Sequence, residues 1–414
     1  MLNFSDKTLQ LAREAEKEIK QHFEYIEEIA FKNQHKVLKA FSDNRVSAEC
    51  LGSSTGYGYN DRGREILDLV YAQVFEAEAA FARHNIVSGT HALTIGLFGL
   101  LRPGDELLSV AGKPYDTLDE VIGISSANGN GSLRDFGVSY RQVDLTKEER
   151  IDLEAVKAAI SDKTKVVYVQ KSRGYSSRRT ITNAEIGELV KAAKAIKKDV
   201  FVFVDNCYGE FCEEHEPCYY GADLCVGSLI KNAGGGIAQS GGYLAGSKKA
   251  IDLCSYRFTC PGTGLECGAT LGQNENMYKG LFFAPHVVSQ ALKTAVFAAA
   301  LFEKAGFIPL PRHNEKRLDI IQAFDLGSKE AIEKFCQGIQ AGSPIDSFVT
   351  PEFWDMPGYD DQVIMAAGTF VSGASIELSA DAPAREPYVV FMQGGLTYES
   401  GKLGVMTALE KVLN

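Results

Sequence analysis

Two short apolar runs constrain this chain more than any other feature. Phe201 to Val204 ends in Asp205, and Ala222 to Ile230 ends in Lys231, followed by the glycine cluster Gly234 to Gly236. Apolar runs of this length, bounded by turn residues, read as buried strands. Each delivers one charged residue at its C-terminal end. In open α/β sheets, ligands bind outside the carboxyl ends of the strands. A carboxylate and an amine placed there mark a binding wall rather than simple packing.

Around this pair the chain alternates strand and helix from about residue 84 to residue 250. Strands are expected at Ile86–Val87, 106–110, 138–143, 165–170 and 200–204, and helices at 92–101, 152–160 and 183–197, with a turn at 128–131. Such alternation predicts an α/β fold of βαβ units around a mostly parallel sheet. Leu9, Ala12, Ala15, Ile19, Phe23, Ile26 and Ile29 recur near helical spacing, so residues 5–40 predict a helix with Ser5 as N-cap. Residues 65–83 predict another, and 277–307 one or two more. Beyond residue 308, strand-like pieces at 347–350, 363–371, 374–378 and 387–393 alternate with helices near 328–340 and 399–412. The expected organisation is an N-terminal helical segment over 1–55, a large α/β domain over 56–275, and connecting helices with a smaller C-terminal α+β domain over 276–414. A length of 414 residues agrees with more than one domain.

Composition narrows the function classes. A net charge of -11 argues against a nucleic-acid partner, which would require a basic face. The nine cysteines include no C-x-x-C pair, and Cys207, Cys212, Cys218 and Cys225 are spaced by five, six and seven residues. Zinc sites favour closer pairs, so no metal is expected and the thiols read as reduced. The N-terminal stretch is charged throughout and lacks an apolar core. No apolar stretch reaches the roughly 18 residues of a membrane span. A soluble cytoplasmic protein is the expectation.

Other stretches supply chemistry. Ser88-Gly89-Thr90 is a small-residue turn opening an apolar helix, where free N–H groups and the dipole suit a phosphate. Tyr115 follows a strand end, a position that suits stacking on a flat ring and equally an ordinary loop tyrosine. Residues 51–64, LGSSTGYGYNDRGR, form a loop carrying Tyr57, Tyr59, Arg62 and Arg64. Phosphate or substrate capture fits this loop, and so does a polar turn with exposed aromatics. Arg173, Arg178 and Arg179 make the loop after residue 170 basic, for a ligand or for solvent. Trp354, in PEFWDMPGYD, fits packing at least as well as a substrate-side loop. Pyridoxal phosphate would unite the central features. It needs a lysine for covalent attachment, an acid beside its ring nitrogen, a phosphate cup and an aromatic neighbour. Lys231, Asp205, the turn at 88–90 with Ser228, and Tyr115 offer one candidate for each.

At the level of motifs, the chain resembles fold-type I pyridoxal-phosphate enzymes of the cysteine and methionine metabolism group. It is more closely similar to the bacterial methionine gamma-lyase-like, or aluminium resistance, family. The stretches that carry the resemblance are YGYNDRGRE at 57–65, VSGTHAL at 87–93, KPYDTL at 113–118, VDNCYGEF at 204–211, GSLIKNAGGG at 227–236 and REPYVVFMQGGLTYE at 385–399. The resemblance implies Lys231 as the attachment lysine, Asp205 as the ring-nitrogen partner and Tyr115 as the stacking residue. It implies that Gly89, Thr90 and Ser228 contact the phosphate. It also implies that Tyr57, Tyr59 and Arg62 complete the cup of a neighbouring subunit, in a homodimer or homotetramer with shared sites. The lyases hold the substrate carboxylate with an arginine in an R-L-S-x-G segment. The comparable VVFMQGGL here has none, leaving Arg385 and Arg173 as candidates. The expected activity is carbon–sulfur elimination on a sulfur-containing amino acid, giving keto acid, ammonia and thiol. Lys231 would act as base at Cα, and Tyr115 as acid toward the leaving sulfur. Transamination or another Cα reaction is the alternative, and a non-catalytic cofactor-binding role in stress is a third.

Overall fold

Seven strands build the central sheet: β1 Ala79–Arg83, β2 Glu106–Ser109, β3 Ser139–Gln142, β4 Thr164–Gln170, β5 Phe201–Asp205, β6 Leu224–Ser228 and β7 Gly242–Gly246. The structure is a computed structural model that describes residues 4–125, 129–355 and 361–414. The spatial order is β1-β7-β6-β5-β4-β2-β3. Strands β3, β2, β4, β5 and β6 run parallel, and β7 is antiparallel to both of its neighbours. β4, β5 and β6 are almost wholly buried, as a sheet covered on both faces requires. One face packs Leu93, Leu97 and Leu100 of the helix Gly89–Leu100 against Phe203, Leu224 and Leu244. The other packs Ile186, Leu189 and Ala193 of the helix Asn183–Ile196 against Val167, Val169, Val202 and Val204.

A second sheet follows, of β8 Ile308–Leu310, β9 Ile321–Asp325, β10 Val363–Ala366, β11 Ser379–Pro383 and β12 Val389–Gln393. Its order is β10-β11-β12-β9-β8, antiparallel throughout. Helices Lys329–Ala341 and Tyr398–Leu413 contribute Phe335, Ile339, Val405 and Leu409 to the core beneath it.

The parallel sheet and its flanking helices match the sequence expectation. The edges of that reading do not. The expected single N-terminal helix is two, Asp6–Glu18 and Lys20–Asp43, hinged at the fully buried Ile19. The Ser5 cap holds, with Ser5 Oγ accepting the Thr8 N–H at 3.3 Å. Residues 79–83 form β1, not the end of a helix, and Ile86–Val87 lies outside any strand. AAFAR has little strand propensity of its own, and pairing with β7 over five residues decides its state. In the C-terminal part, 347–350 and 374–378 are not strands, while β8, β9 and β11 were not anticipated. β11, SADAP, is a poor strand former held between β10 and β12. The start of the turn expected at 128–131 lies outside the described residues. So does most of the stretch after Trp354, which is half exposed and bridges to Val363.

Against the sequence expectation that no stretch is apolar enough to span a membrane, the helix Asn274–Lys304 is long and apolar enough by length and composition, but 72% of its most apolar window is buried inside the protein. Met277, Leu281, Val288 and Phe297 place it in the largest core cluster, together with the N-terminal helices. A buried arginine ties the loop at 51–61 to the segment that leads into this helix. Arg64 donates from Nη1 to the carbonyls of Gly58 and Gly268, each at 2.7 Å, and from Nη2 to Glu266 at 3.2 Å. Arg64→Leu leaves three carbonyls without their charged donor. It is expected to destabilise the fold by about 2–4 kcal/mol. Urea denaturation of the variant beside the native chain measures this, and an unchanged midpoint would remove the clamp from the account.

Candidate active site

The carboxyl ends of β4, β5 and β6 lie side by side, with Gln170 paired to Asp205 and Asp205 to Val226 in the ladder. β6 ends at Ser228, and the chain turns through Lys231 into Asn232–Gly234. The helix Gly89–Leu100 points its N-terminus at the same place. A methyl group added at Gly89 would lie 3.4 Å from Cys207 Sγ, 3.6 Å from Ser228 Cβ and 3.7 Å from Lys231 Nζ. The missing side chain leaves a cradle where a thiol, a seryl side chain, an amine and the first helical amides converge. Those first amides have no partner within the helix. Ser88 caps them, its Oγ accepting the His91 N–H at 3.0 Å. His91 in turn accepts the Val87 N–H at Nδ1, 3.1 Å away, a local structural task.

Asp205 is buried. It accepts the Cys207 N–H at 3.1 Å and the Tyr168 hydroxyl at 3.3 Å. Burial pushes its carboxyl above the usual range, and the Lys231 amine pulls it back down. Burial would disfavour the Lys231 ammonium, but the facing Cys207, Tyr208, Asp205 and Glu210 outweigh this and raise it. Cys207, Tyr208 and Glu210 are themselves pushed up by burial. All four acids facing the amine are thus shifted upward by burial, and Asp205 is the one of them at the end of β5.

Tyr115 sits where two loops meet. Gly174, at φ +57°, approaches so closely that an added methyl would stand 3.3 Å from the Tyr115 ring and 3.0 Å from Gln170 Nε2. Tyr175 continues the contact, its ring centre 5.7 Å from Tyr115 and 5.1 Å from Phe391 of β12. Thr90 Oγ1 and Thr117 Oγ1 lie 2.8 Å apart and join the helix N-terminus to the Tyr115 loop.

The structure thus brings Ser88, Gly89, Thr90, Tyr115, Asp205, Ser228 and Lys231 to one end of the sheet. It places the remaining candidates elsewhere. Tyr57 and Tyr59 stack on each other with centres 5.5 Å apart and are 74% and 59% exposed. Arg62 is exposed beside them, whereas Arg64 is the buried clamp. Arg385 lies on the exposed turn between β11 and β12, its Nη1 3.2 Å from Asp361. Arg173 is buried in the loop after β4. Its Nη1 donates to the Leu310 carbonyl at 2.9 Å and its N–H to Asp319 at 3.3 Å. The sequence reading passed over Cys207, Tyr208 and Tyr175, although two of them stand in the same stretch as Asp205. Cys207 and Tyr208 stand beside the amine and Tyr175 beside Tyr115, meetings that adjacency in sequence alone does not supply.

The residues present fit pyridoxal phosphate: an amine, a buried carboxylate on the neighbouring strand, and an anion cradle that a Cβ would fill. A large sheet with this arrangement at its carboxyl edge is that of a fold-type I pyridoxal-phosphate-dependent enzyme, and the comparisons give its class as a carbon–sulfur lyase. A Bacillus subtilis protein of uncharacterised function, YnbB, is 52% identical over 97% of this chain and 96% of its own. The crystal structure of a carbon-sulfur lyase involved in aluminum resistance from Clostridium novyi superposes with a TM-score of 0.96. It is 49% identical, over 99% of this chain and 96% of that one. The L-methionine gamma-lyase of Pseudomonas putida is 30% identical over 51% of this chain and 48% of its own. The chain belongs to the methionine gamma-lyase family, which it matches over residues 8–413.

Behind the Lys231 strand lies a second buried acid. Glu210 Oε1 accepts from the Tyr243 hydroxyl at 3.1 Å, while Oε2 has no partner. Tyr243 also receives Asn206 Nδ2 at 3.3 Å, and the same Asn206 amide reaches Glu216 at 2.9 Å. Burial raises the Glu210 carboxyl from 4.5 to about 8. A folded-state value above the unfolded one means that stability is fully present below 4.5 and is lost as pH rises through about 8. Glu210→Gln is expected to flatten that part of the stability profile. Urea midpoints across pH 4.5 to 8 test it, and a slope equal to the native one would show that Glu210 is not the group responsible.

Proposed function

We propose that this enzyme eliminates the sulfur substituent of a sulfur-containing amino acid as a thiol in the cytoplasm, that water then hydrolyses the remainder to a keto acid and ammonia, and that the cofactor is attached covalently to Lys231. The observation that carries the reading is the convergence of Lys231 Nζ, Ser228 and Cys207 on the open cradle at Gly89, with Asp205 next to them. When bound, pyridoxal phosphate supplies an electron sink for charge developing at Cα.

The chain's own residues do the rest. The helix amides at Gly89 and Thr90, with Ser88 and Ser228, would hold the phosphate. Asp205, buried at the end of β5, would pair with the ring nitrogen and favour its protonated form. The Lys231 amine would serve as the base for the Cα proton, a task that contributes about 10²–10⁴-fold to rate. Tyr115 would stack on the ring and supply its hydroxyl proton to the leaving sulfur. Tyr175 and Phe391 extend that aromatic wall toward the second sheet, an apolar surface suited to a thioether side chain. Arg173 is the better candidate for the substrate carboxylate, because its loop lies against Tyr115 through Gly174. Arg385 sits on an exposed turn, paired with Asp361. Tyr57, Tyr59 and Arg62 face outward and serve the phosphate cup of a second subunit in a homodimer or homotetramer.

Borohydride reduction followed by peptide mass mapping is expected to place the cofactor on Lys231. Lys231→Ala should lose the label and at least about 10²-fold of thiol release. A label elsewhere, or turnover that survives the substitution, would overturn the assignment. Arg173→Met is expected to raise KM for the amino acid about tenfold with a smaller change in kcat. Steady-state kinetics with a panel of sulfur amino acids separates this from Arg385→Met, for which no such rise is expected. Measuring ammonia and thiol against amino-acid product from an added keto acid distinguishes elimination from transamination.

A further inference from the structure

Tyr208 has an unusual backbone and two unusual neighbours. It follows Asp205 by three residues and holds φ at +73°, a left-handed conformation that is an outlier for an aromatic residue. Such strain persists only where surrounding contacts over-determine it. Here the contacts are specific. The Tyr208 ring centre lies 4.2 Å from Lys231 Nζ, so the amine sits over its face. The Tyr208 carbonyl accepts Asn232 Nδ2 at 3.0 Å, fixing the residue that follows the lysine. The Tyr208 hydroxyl lies 3.1 Å from Ser375 Oγ, 167 residues away in sequence. Ser375 belongs to the stretch between β10 and β11. That stretch is tied to the end of β12, where the Gly395 N–H donates to Ile376 at 2.9 Å.

We propose that Tyr208 is a positioning residue that fixes the Lys231 amine and links it to the second sheet through Ser375. This rests on the reading of Lys231 as the reactive amine. The ring face favours a cation at Nζ, a contact that is strongest where water is excluded. The hydroxyl holds the ring at its angle, so the place of the amine depends on a segment beyond the large sheet. The other groups facing the amine are Asp205 at the end of β5, and Cys207 and Glu210 on the turn that follows. All three remain when Tyr208 is changed. Altered behaviour of the amine is then attributable to the ring.

The test uses the cofactor-loaded enzyme and the pH titration of its visible absorption band. Tyr208→Leu removes the ring, and its titration midpoint is expected to fall by about one pH unit. Tyr208→Phe keeps the ring and is expected to keep the native midpoint while lowering kcat. Ser375→Ala should lower kcat by the same factor, and the double variant Tyr208→Phe with Ser375→Ala should go no further. A native midpoint in Tyr208→Leu overturns the role of the ring. If that variant does not fold, the Tyr208→Phe and Ser375→Ala pair still decides, since fully additive losses overturn the link. A visible band that persists in Lys231→Ala would instead overturn the assignment of Lys231, and this inference with it.

Discussion

The site depends on a half-buried amine held beside a buried carboxylate, on neighbouring chain segments at the open end of a parallel sheet. Lys231 and Asp205 both pay desolvation, and each offsets that cost for the other. Removing one partner of such a pair leaves an uncompensated charge and typically costs about 3–5 kcal/mol. Only a rigid support can hold the geometry. Here β4, β5 and β6 supply it, buried on both faces and in parallel register.

The loops that finish the site are fastened from several directions. Arg178 donates to the carbonyls of Gln170 at 2.9 Å and Ser172 at 2.5 Å, shaping the turn that presents Gly174 to Tyr115. Asp319 receives the Arg173 N–H and the Thr180 hydroxyl, joining that turn to the segment before β9. Lys171, fully buried behind the same turn, pairs with Glu213 at 3.2 Å. The binding wall is therefore set by the large sheet, whereas its rim is shared with the C-terminal part of the chain. Substitutions at residues far from Lys231 in sequence can act on the chemistry through these fastenings.

Much of the fold was legible because its signals are local. Short apolar runs ending in Asp205 and Lys231, a small-residue turn opening an apolar helix, and regular strand–helix alternation depend only on neighbours in sequence. The errors fell where neighbours do not decide. β1 is alanine-rich and β11 contains Asp and Pro, so both owe their state to partners remote in sequence. Of the two arginines close together in the loop and helix start, nothing local says that Arg64 is buried as a clamp while Arg62 faces solvent.

The sequence by itself determined the α/β class, the order of the chemical groups along the chain and the lysine and carboxylate at the strand ends. Periodicity and turn chemistry act over a few residues, and those features need no more. Only the tertiary structure decided which side chains meet: Cys207 and Ser228 at the Gly89 cradle, Tyr175 between Tyr115 and Phe391, and Tyr208 between Lys231 and Ser375. Those meetings join residues up to 216 positions apart. They come from packing two sheets around one edge, which leaves no periodic trace in the sequence.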